Sequence, residues 1–320
     1  MKSERRFFKE LRFRQLLALV ELSRHRTFSA VATVLKLSVV SVWRQVRSLE
    51  EDFGVQLVVT DGQQVSFTED GRNLVELTEP LVESFRSLRS VFDDRLKRVP
   101  RKLTVAAPAG VLSDALPGPV ARYRREFSHV GLRLIERPSH AACAALLAGQ
   151  ADIAIIGTTT ADVLPTSLAT RPLARYPIHL LAPANHVLVT ARRLTVKQIA
   201  RHPLVLSTED TSDRAQVDLT FARAGVLEQL EVTISATRLP LIAEYVSLGF
   251  GVALVAPGMA RPPRSRRNRP ALVWRNVSDL FGSEDLVLLQ RKGRFELPHV
   301  RAFRELLEET FVAHPQADLP

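Results

Sequence analysis

The spacing of apolar residues changes near residue 100, and this change constrains the fold more than any other feature of the sequence. Up to residue 96, apolar side chains recur at steps of three and four, which is typical of amphipathic helices. Beyond the basic segment from Lys97 to Lys102, short apolar runs alternate with helical stretches, the pattern of parallel βαβ units. With 320 residues, 46% of them hydrophobic, each part can bury a core. The sequence therefore predicts a helical amino-terminal domain followed by an α/β domain.

Three short helices are predicted between Phe13 and Phe53, with polar breaks at 23–27 and 36–38. The second and third helices each carry one apolar stripe, and on the third it is formed by Val42, Val46, Leu49 and Phe53. The helical period separates that stripe from a second face. This second face carries Val39, Val40, Trp43, Arg44 and Arg47.

A hairpin is predicted directly after these helices. Two β-prone runs, 58–60 and 65–67, flank Asp61-Gly62, a dipeptide that accepts positive φ in a tight turn. We interpret this hairpin as a wing.

A long helix is then predicted over 69–96, with Thr68 as its N-cap and apolar residues at steps of three and four. Such a stripe favours a partner helix. Pro80 falls inside the segment and is expected to kink or interrupt it, because its ring removes a hydrogen-bond donor.

The second domain is predicted as two lobes. Predicted strands are 103–107, 132–136, 153–156, 178–182, 204–207, 232–235, 252–255 and 286–289, and predicted helices include 116–127, 141–148 and 300–311. The segment from Arg261 to Arg269 is predicted as a loop rich in proline and arginine.

The net charge of +10 is concentrated at the amino terminus. Residues 1–47 hold eleven basic and three acidic side chains, whereas the other 273 residues hold 33 and 31. A basic head on a nearly neutral body indicates binding to a polyanion, since neutralised phosphates release condensed counterions. The alternative is that this charge serves surface solubility alone.

Several classes of protein are disfavoured. Neither a signal peptide nor a membrane-spanning run is found, which predicts a cytoplasmic protein without a membrane partner. The single cysteine, Cys143, cannot form an internal disulfide or a multi-thiolate metal site. The sequence carries no phosphate loop, nucleophile elbow or histidine pair with metal-ligand spacing, so we expect neither an enzyme nor a cofactor or metal.

A three-helix unit with a basic arm and a wing fits the major groove of duplex DNA. Ser38 would cap the third helix, and Arg44 could reach a guanine edge with two donors. Val39 and Val40 offer apolar contact to thymine methyl groups. Alternatively, Trp43 packs inside the domain, and the arginines form a solvated helix face.

The order and spacing of these residues resemble the LysR-type transcriptional regulators. The segments that carry the resemblance are 27–32, Ser38 with 43–50, 53–57 and 67–71, together with Val246, Gly249, Gly251 and Pro257 in the second domain. Within that family, residues 245–252 resemble the regulators of sulfur assimilation and cysteine biosynthesis. The resemblance predicts DNA contacts from Thr27, Ser29, Ser38, Val39, Val40, Trp43, Arg44 and Arg47.

The resemblance also implies a winged helix-turn-helix over 9–68, a linker helix over 69–98 and an effector-binding domain over 101–314. That domain would resemble type 2 periplasmic binding proteins, with lobe I at 101–168 and 290–314 and lobe II at 169–289. The expected partners are double-stranded DNA, a small-molecule effector held between the lobes, and a second copy of the chain in a homodimer or tetramer. RNA polymerase is a further candidate partner.

The chain departs from the family pattern at Val39-Val40, Trp43 and Thr60-Asp61, where polar, small hydroxyl or basic residues are common. Base readout should therefore differ. In addition, residues 107–111 lack the effector-binding hydroxyl groups of the family, which argues against a sulfate-like effector.

The predicted effector-binding residues lie at strand ends and helix starts. They are Ala109, Gly110, Val111, Gly157, Thr158, Ser207, Thr208, Ser212, Arg214 and Thr237. Arg214 favours an anionic ligand, with a surface ion pair as the alternative. Two other functions stay open: an architectural DNA-binding protein, which a cleft filled by side chains would favour, and a solute-binding protein.

Overall fold

A computed structural model describes residues 11–96, 101–159, 162–258 and 270–312. These residues form two compact units, one that includes 11–96 and one that includes most of 101–312. The basic residues before Leu11 and the predicted loop from Arg261 to Arg269 lie outside the described residues.

The amino-terminal unit has the predicted helices and wing. Its elements are α1 (Phe13–His25), α2 (Phe28–Leu35), α3 (Val39–Phe53), β1 (Val58–Asp61), β2 (Gln64–Phe67) and α4 (Glu69–Arg95). Thr27 caps α2 by accepting a hydrogen bond from the amide of Ala30, and Ser38 caps α3 by accepting one from Ser41. These caps fix where the helices begin.

The predicted apolar stripes form the core of this unit. Val42, Val46 and Leu49 of α3 are buried against residues of α1 and α2. Phe53 is the exception and is exposed, because it is the last residue of α3 before the chain turns at Gly54.

The turn of the wing lies one residue further along than predicted. Asp61 pairs with Gln64 in the antiparallel hairpin, so the turn residues are Gly62 and Gln63. Gly62 has a φ of 58°, the left-handed conformation that glycine adopts without steric cost.

The buried carboxylate of Glu50 joins helix α3 to the wing. One of its oxygens accepts hydrogen bonds from the amides of Leu57, at 2.8 Å, and Val58, at 3.1 Å. Its other oxygen accepts one from Arg47, at 2.6 Å. The position of β1 relative to α3 is therefore fixed by hydrogen bonds to a charged group, which are stronger than neutral ones.

Helix α4 is continuous through Pro80, contrary to the expected interruption. Ion pairs on both sides of Pro80 hold α4 against α1: Arg24 lies 2.7 Å from Glu79 and 3.1 Å from Glu83. A further ion pair of 2.6 Å joins Arg86 to the buried Glu21. Packing and charge thus compensate for the hydrogen bond that proline cannot donate.

One side of α4 remains exposed within this unit. Large apolar side chains lie along it at steps of three and four, namely Leu77, Leu81, Phe85, Leu88 and Phe92. Leu74 and Val82, by contrast, are buried in the core of the unit.

The carboxy-terminal unit contains two lobes, as expected from its alternating strands and helices. The first lobe contains β3 (Lys102–Ala107), α5 (Pro117–Glu126), β4 (Gly131–Glu136), α6 (Ser139–Leu147), β5 (Ile153–Thr158), β6 (Leu168–Pro177), β12 (Ser283–Arg291) and α12 (Pro298–Val312). Its five-stranded sheet has the order β4-β3-β5-β12-β6. Strand β3 is parallel to β4 and β5, whereas β12 is antiparallel to β5.

The second lobe lies between β6 and β12 in the chain. It contains β7 (His179–Pro183), α7 (Val187–Thr190), α8 (Val196–Ile199), β8 (Leu204–Leu206), α9 (Ser212–Arg223), β9 (Val232–Ser235), α10 (Leu239–Ser247), β10 (Ala253–Val255), β11 (Leu272–Asn276) and α11 (Ser278–Phe281). Strands β10 and β11 flank β7, and β8 pairs with β9 in parallel.

The structure differs from the sequence-based interpretation in the strands that connect the lobes. Strand β6 was not predicted, because charged and polar residues interrupt its apolar positions. Strand β12 begins three residues before its predicted start. The sheet of the first lobe therefore extends to Pro177 and resumes at Ser283, rather than ending at 168 and resuming at 290, and both lobes have mixed rather than purely parallel strands.

Within the described ranges, no helix combines the length and the apolarity needed to cross a bilayer.

Replacing Glu50 by alanine should destabilise the amino-terminal unit by about 2–4 kcal/mol, because two buried amides lose their acceptor. The free energy of unfolding would be measured by urea denaturation, following Trp43 fluorescence in a Trp274→Phe background. The matched control is Glu51→Ala on the exposed side of α3, which should change that free energy by less than about 0.5 kcal/mol. Equal stability of the two variants would contradict this role of Glu50.

Candidate functional site

One face of α3 is exposed although it carries large apolar side chains. Val39, Val40 and Trp43 have exposed fractions of 45%, 57% and 45%, and Arg44 is exposed beside them. The opposite face of the same helix is buried in the core. An exposed apolar and cationic surface on a rigidly packed helix is typical of an interaction site.

Trp43 does not pack inside the domain, which was the alternative to a role in binding. The guanidinium of Arg47 lies over its ring, 5.4 Å from the ring centre, in a cation–π contact. Because the guanidinium of Arg47 also donates to Glu50, two contacts hold it in place. Arg44 is thus the exposed arginine of this face, whereas Arg47 is half-buried.

The hydroxyl residues predicted to contact DNA have two kinds of placement. Thr27 and Ser38 act as N-caps, and the Ser38 hydroxyl also lies 2.8 Å from that of Ser41. Ser29, in the first turn of α2, is exposed. The starts of α2 and α3 are therefore both capped by hydroxyl groups, and both lie at the surface of the unit, where another molecule can reach them.

A cavity of about 160 Å³ lies between the lobes of the carboxy-terminal unit. Its walls come from the ends of strands and the starts of helices in both lobes. Six of the ten predicted effector-binding residues line it: Gly110, Val111, Gly157, Ser207, Ser212 and Thr237.

The other four predicted residues, Ala109, Thr158, Thr208 and Arg214, lie outside the cavity lining. The Thr158 and Thr208 hydroxyls bond within the protein, to the carbonyl of Asp285 at 3.2 Å and to Asp210 at 2.6 Å. As expected, the backbone amides at 109–111 lie at the start of a helical segment, which begins at Ala109 and continues as the five-residue π-helical turn Val111–Ala115. The amide of Leu112 donates to the carbonyl of Pro108 at 3.1 Å.

Arg214 is neither in the cavity nor on the surface, contrary to both sequence-based alternatives. Its side chain is buried, with its Nε 2.8 Å from Asp218 and its Nη1 donating to the carbonyl of Ser207 at 2.9 Å. Arg214 therefore connects the start of α9 to the residue that follows β8. Because its guanidinium is engaged by these protein groups, Arg214 gives no support for an anionic ligand.

Sequence reasoning missed the acidic lining of the cavity. Four carboxyl groups contribute to it, those of Asp114, Asp210, Asp213 and Glu284. Asp210 and Asp213 flank the predicted Ser212, so their neighbourhood was visible in the sequence. Glu284 was not, because it lies in the part of β12 that precedes its predicted start.

Glu284 of β12, in the first lobe, lines the cavity and contacts α9 of the second lobe. Its carboxylate accepts a short hydrogen bond from Ser212 at the start of α9, and it lies against Gly157 of β5. A Cβ at residue 157 would collide with both groups in their present positions, so a larger residue there would force these two side chains to move. Burial and the negative charge of Asp213 raise the pKa of Glu284 to about 8, although the hydrogen bond from Ser212 opposes the shift.

Replacing Arg214 by alanine should lower the free energy of unfolding of the carboxy-terminal unit by about 2–4 kcal/mol, since a buried ion pair and a buried carbonyl lose their partner. The measurement is urea denaturation followed by Trp274 fluorescence in a Trp43→Phe background. Arg223→Ala, at the exposed end of the same helix, is the control and should have little effect. A neutral Arg214→Ala would contradict this structural role.

Stability should also depend on pH through Glu284, whose neighbouring carboxyl groups are Asp213, Asp285 and Asp162. Because the pKa of Glu284 is higher in the folded protein than its ordinary value of 4.5, its stabilising contribution is complete below pH 4.5 and is lost as the pH rises to about 8. The free energy of unfolding of the parent protein, relative to Glu284→Gln, should fall across this range. The exposed Glu231→Gln serves as control, and parallel pH profiles for the parent and Glu284→Gln would refute the prediction.

Two family models match the chain. The model of the bacterial regulatory helix-turn-helix protein of the lysR family matches residues 13–72, and the model of the LysR substrate binding domain matches residues 97–312. The first spans the exposed face of α3 and the wing. The second spans the cavity.

Curated regulators are similar over almost the whole chain. The regulator Cbl of Escherichia coli is 28% identical over 298 residues, which cover 92% of both chains. SsuR of Burkholderia cenocepacia is 28% identical over 306 residues, covering 95% of this chain and 96% of the relative. CysB of the same organism is 27% identical over 280 residues, 87% of each chain. These relatives agree with the branch that residues 245–252 indicated.

Solved structures show the same architecture. The cofactor-binding domain of the Cbl regulator matches with a TM-score of 0.57 and 28% identity, covering 66% of this chain and 89% of that domain. Full-length BenM matches in fold with a TM-score of 0.56 at 17% identity, covering 97% of this chain and 99% of BenM. The predicted winged helix-turn-helix, linker helix and α/β sensor are confirmed. The chain belongs to the LysR family of DNA-binding transcriptional regulators.

Proposed function

We propose that this regulator binds specific DNA sites through α3 and that a small molecule held between the lobes of its carboxy-terminal unit modulates this binding. The observation that carries the proposal is the exposed face of α3, where apolar and cationic side chains stand on a helix fixed by a buried core and by Glu50. A helix held in this way can enter the major groove without reorganising.

The residues of this face would have different roles in DNA binding. Arg44 is exposed and would read a guanine edge, while Val39 and Val40 would contact thymine methyl groups. Trp43 would extend that apolar contact. Arg47, held by Glu50, would position Trp43 rather than read a base.

Contacts to the DNA backbone would come from the starts of α2 and α3. Thr27 and Ser38 cap these helices, whose first amides carry partial positive charge that favours phosphate. Ser29 is exposed in the first turn of α2 and would donate its hydroxyl. Such contacts fix the register of the protein on DNA, while the base contacts supply specificity.

A second copy of the chain would cover the exposed apolar side of α4. Five large apolar side chains at helical spacing are costly to leave in water, and a partner helix with the same stripe would bury them. A two-fold symmetric dimer would present two α3 helices to half-sites of related sequence.

The cavity supports a sensor rather than an inert second domain. An architectural role would be favoured by a cleft filled with side chains, whereas this cleft encloses about 160 Å³. Effector binding there would change the packing of the lobes and thereby the spacing or bend imposed on DNA.

The test is selection of genomic fragments by the purified full-length protein, followed by titration of the best fragment at several salt concentrations. A discrete, partly palindromic site with strong salt dependence is expected. Uniform weak binding to all fragments would instead favour the architectural function, and the absence of binding would favour a solute-binding protein.

On the selected site, Arg44→Ala should weaken binding by about 1–3 kcal/mol while binding to random DNA changes little, because Arg44 contributes mainly to base recognition. Titration of both DNAs by fluorescence anisotropy measures the difference. Arg125→Ala, which removes an exposed charge from α5, controls for net charge. An equal loss on random DNA would show that Arg44 contacts only the backbone.

A further inference from the structure

The cavity between the lobes is lined by carboxyl groups. Four carboxyl groups contribute to its wall, and none of the described residues that line it is basic. Arginines that adjoin lining residues in the chain make ion pairs of their own: Arg238 lies 3.1 Å from Glu136, and Arg214 lies 2.8 Å from Asp218. Although the whole chain has a net charge of +10, the described residues that line this cavity are therefore acidic rather than basic.

One position suited to hold an anion, the start of α9, is already filled by the chain itself. The start of α9 carries partial positive charge, and the carboxyl groups of Glu284 and Asp213 lie there. Ser212 donates its hydroxyl to Glu284, and Ser207 donates to Asp213 at 2.7 Å. An anionic ligand would have to displace these groups from their donors and would be repelled by their charge.

Another part of the wall is apolar. Leu239, Ile242, Val255 and Leu286 contribute side chains, and the Tyr176 ring lies among them. Burial and the charge of Glu284 raise the pKa of Tyr176 to about 12, so its hydroxyl stays protonated near neutral pH. An engineered cavity of roughly 150 Å³ holds one benzene, so this one suits a ligand of similar size.

We propose that the cavity takes a small organic cation, with an ammonium or guanidinium group beside Glu284 and Asp213 and a short hydrocarbon chain against the apolar wall. The inference rests on the proposed function, since it names the chemical class of the effector. The family model and the cavity support the site, and the carboxyl groups favour a cationic occupant. A cation here is attracted by Asp213 and favours the ionised form of Glu284, whose pKa is raised in the free protein.

Two sets of probes of matched size test the charge preference. The first set is n-butylamine, n-butanol and butyrate, and the second is butanediamine, butanediol and succinate. Inorganic sulfate and magnesium chloride complete the panel. Saturable binding to the full-length protein is measured by isothermal titration calorimetry, and we expect it for at least one amine but for no anion.

Variants connect the binding to the cavity. Glu284→Gln keeps a group that can accept the hydrogen bond from Ser212 and removes the ionisable carboxyl group, and Asp213→Asn does the same beside Ser207. Each should weaken amine binding by roughly thirtyfold, as expected when one partner of a partly buried charge pair is removed. Glu209→Gln, an exposed neighbour outside the cavity lining, should bind as the parent does.

Each other outcome overturns the inference. Binding of butyrate, succinate or sulfate that depends on Ser212 would show an anion site, and the proposed regulator would keep an effector of another class. Binding of magnesium alone would exclude an organic ligand. If no probe binds, or if amine binding survives in both Glu284→Gln and Asp213→Asn, the cation site is wrong, while fragment selection still decides DNA binding separately.

Discussion

The amino-terminal unit depends on one buried carboxylate. Glu50 accepts hydrogen bonds from two amides of the strand that begins the wing and from Arg47 on its own helix. Arg47 in turn supports Trp43, so the interior of the unit and its exposed face share a single chain of contacts. A surface that must match a rigid duplex gains from this arrangement, because little side-chain entropy remains to be lost on binding.

A similar constraint governs the carboxy-terminal unit, but there the carboxyl group faces a cavity. Glu284 lies between Gly157 in one lobe and Ser212 in the other, and its raised pKa records the cost of burying it beside Asp213. A ligand that changes the charge of Glu284 would therefore alter the interaction between the two lobes. Glu50 is fully satisfied by protein donors, whereas Glu284 has room for an external one.

Local patterns in the sequence were sufficient for the helices and the wing, because helix caps and apolar periodicity act over a few residues. Thr27, Ser38 and the stripe on α3 are examples. The missed features depend on distant residues. Strand β6 has polar positions that only its neighbours in the sheet explain. The sequence alone does not show that the side chain of Arg214 pairs with Asp218 and is not available to a ligand. The acidic cavity combines β12 with α9, which are about 70 residues apart in the chain.

The two candidate sites select partners of opposite charge. The first 47 residues carry eleven basic side chains and three acidic ones, which favours a polyanion, while the cavity gathers carboxyl groups from both lobes. Phosphates and other small anions that a basic head attracts are disfavoured in the cavity, so the phosphate groups of DNA would not compete with the effector. Separation of charge lets one chain respond to a cation while it binds an anion, and it explains why the net charge alone says nothing about the ligand.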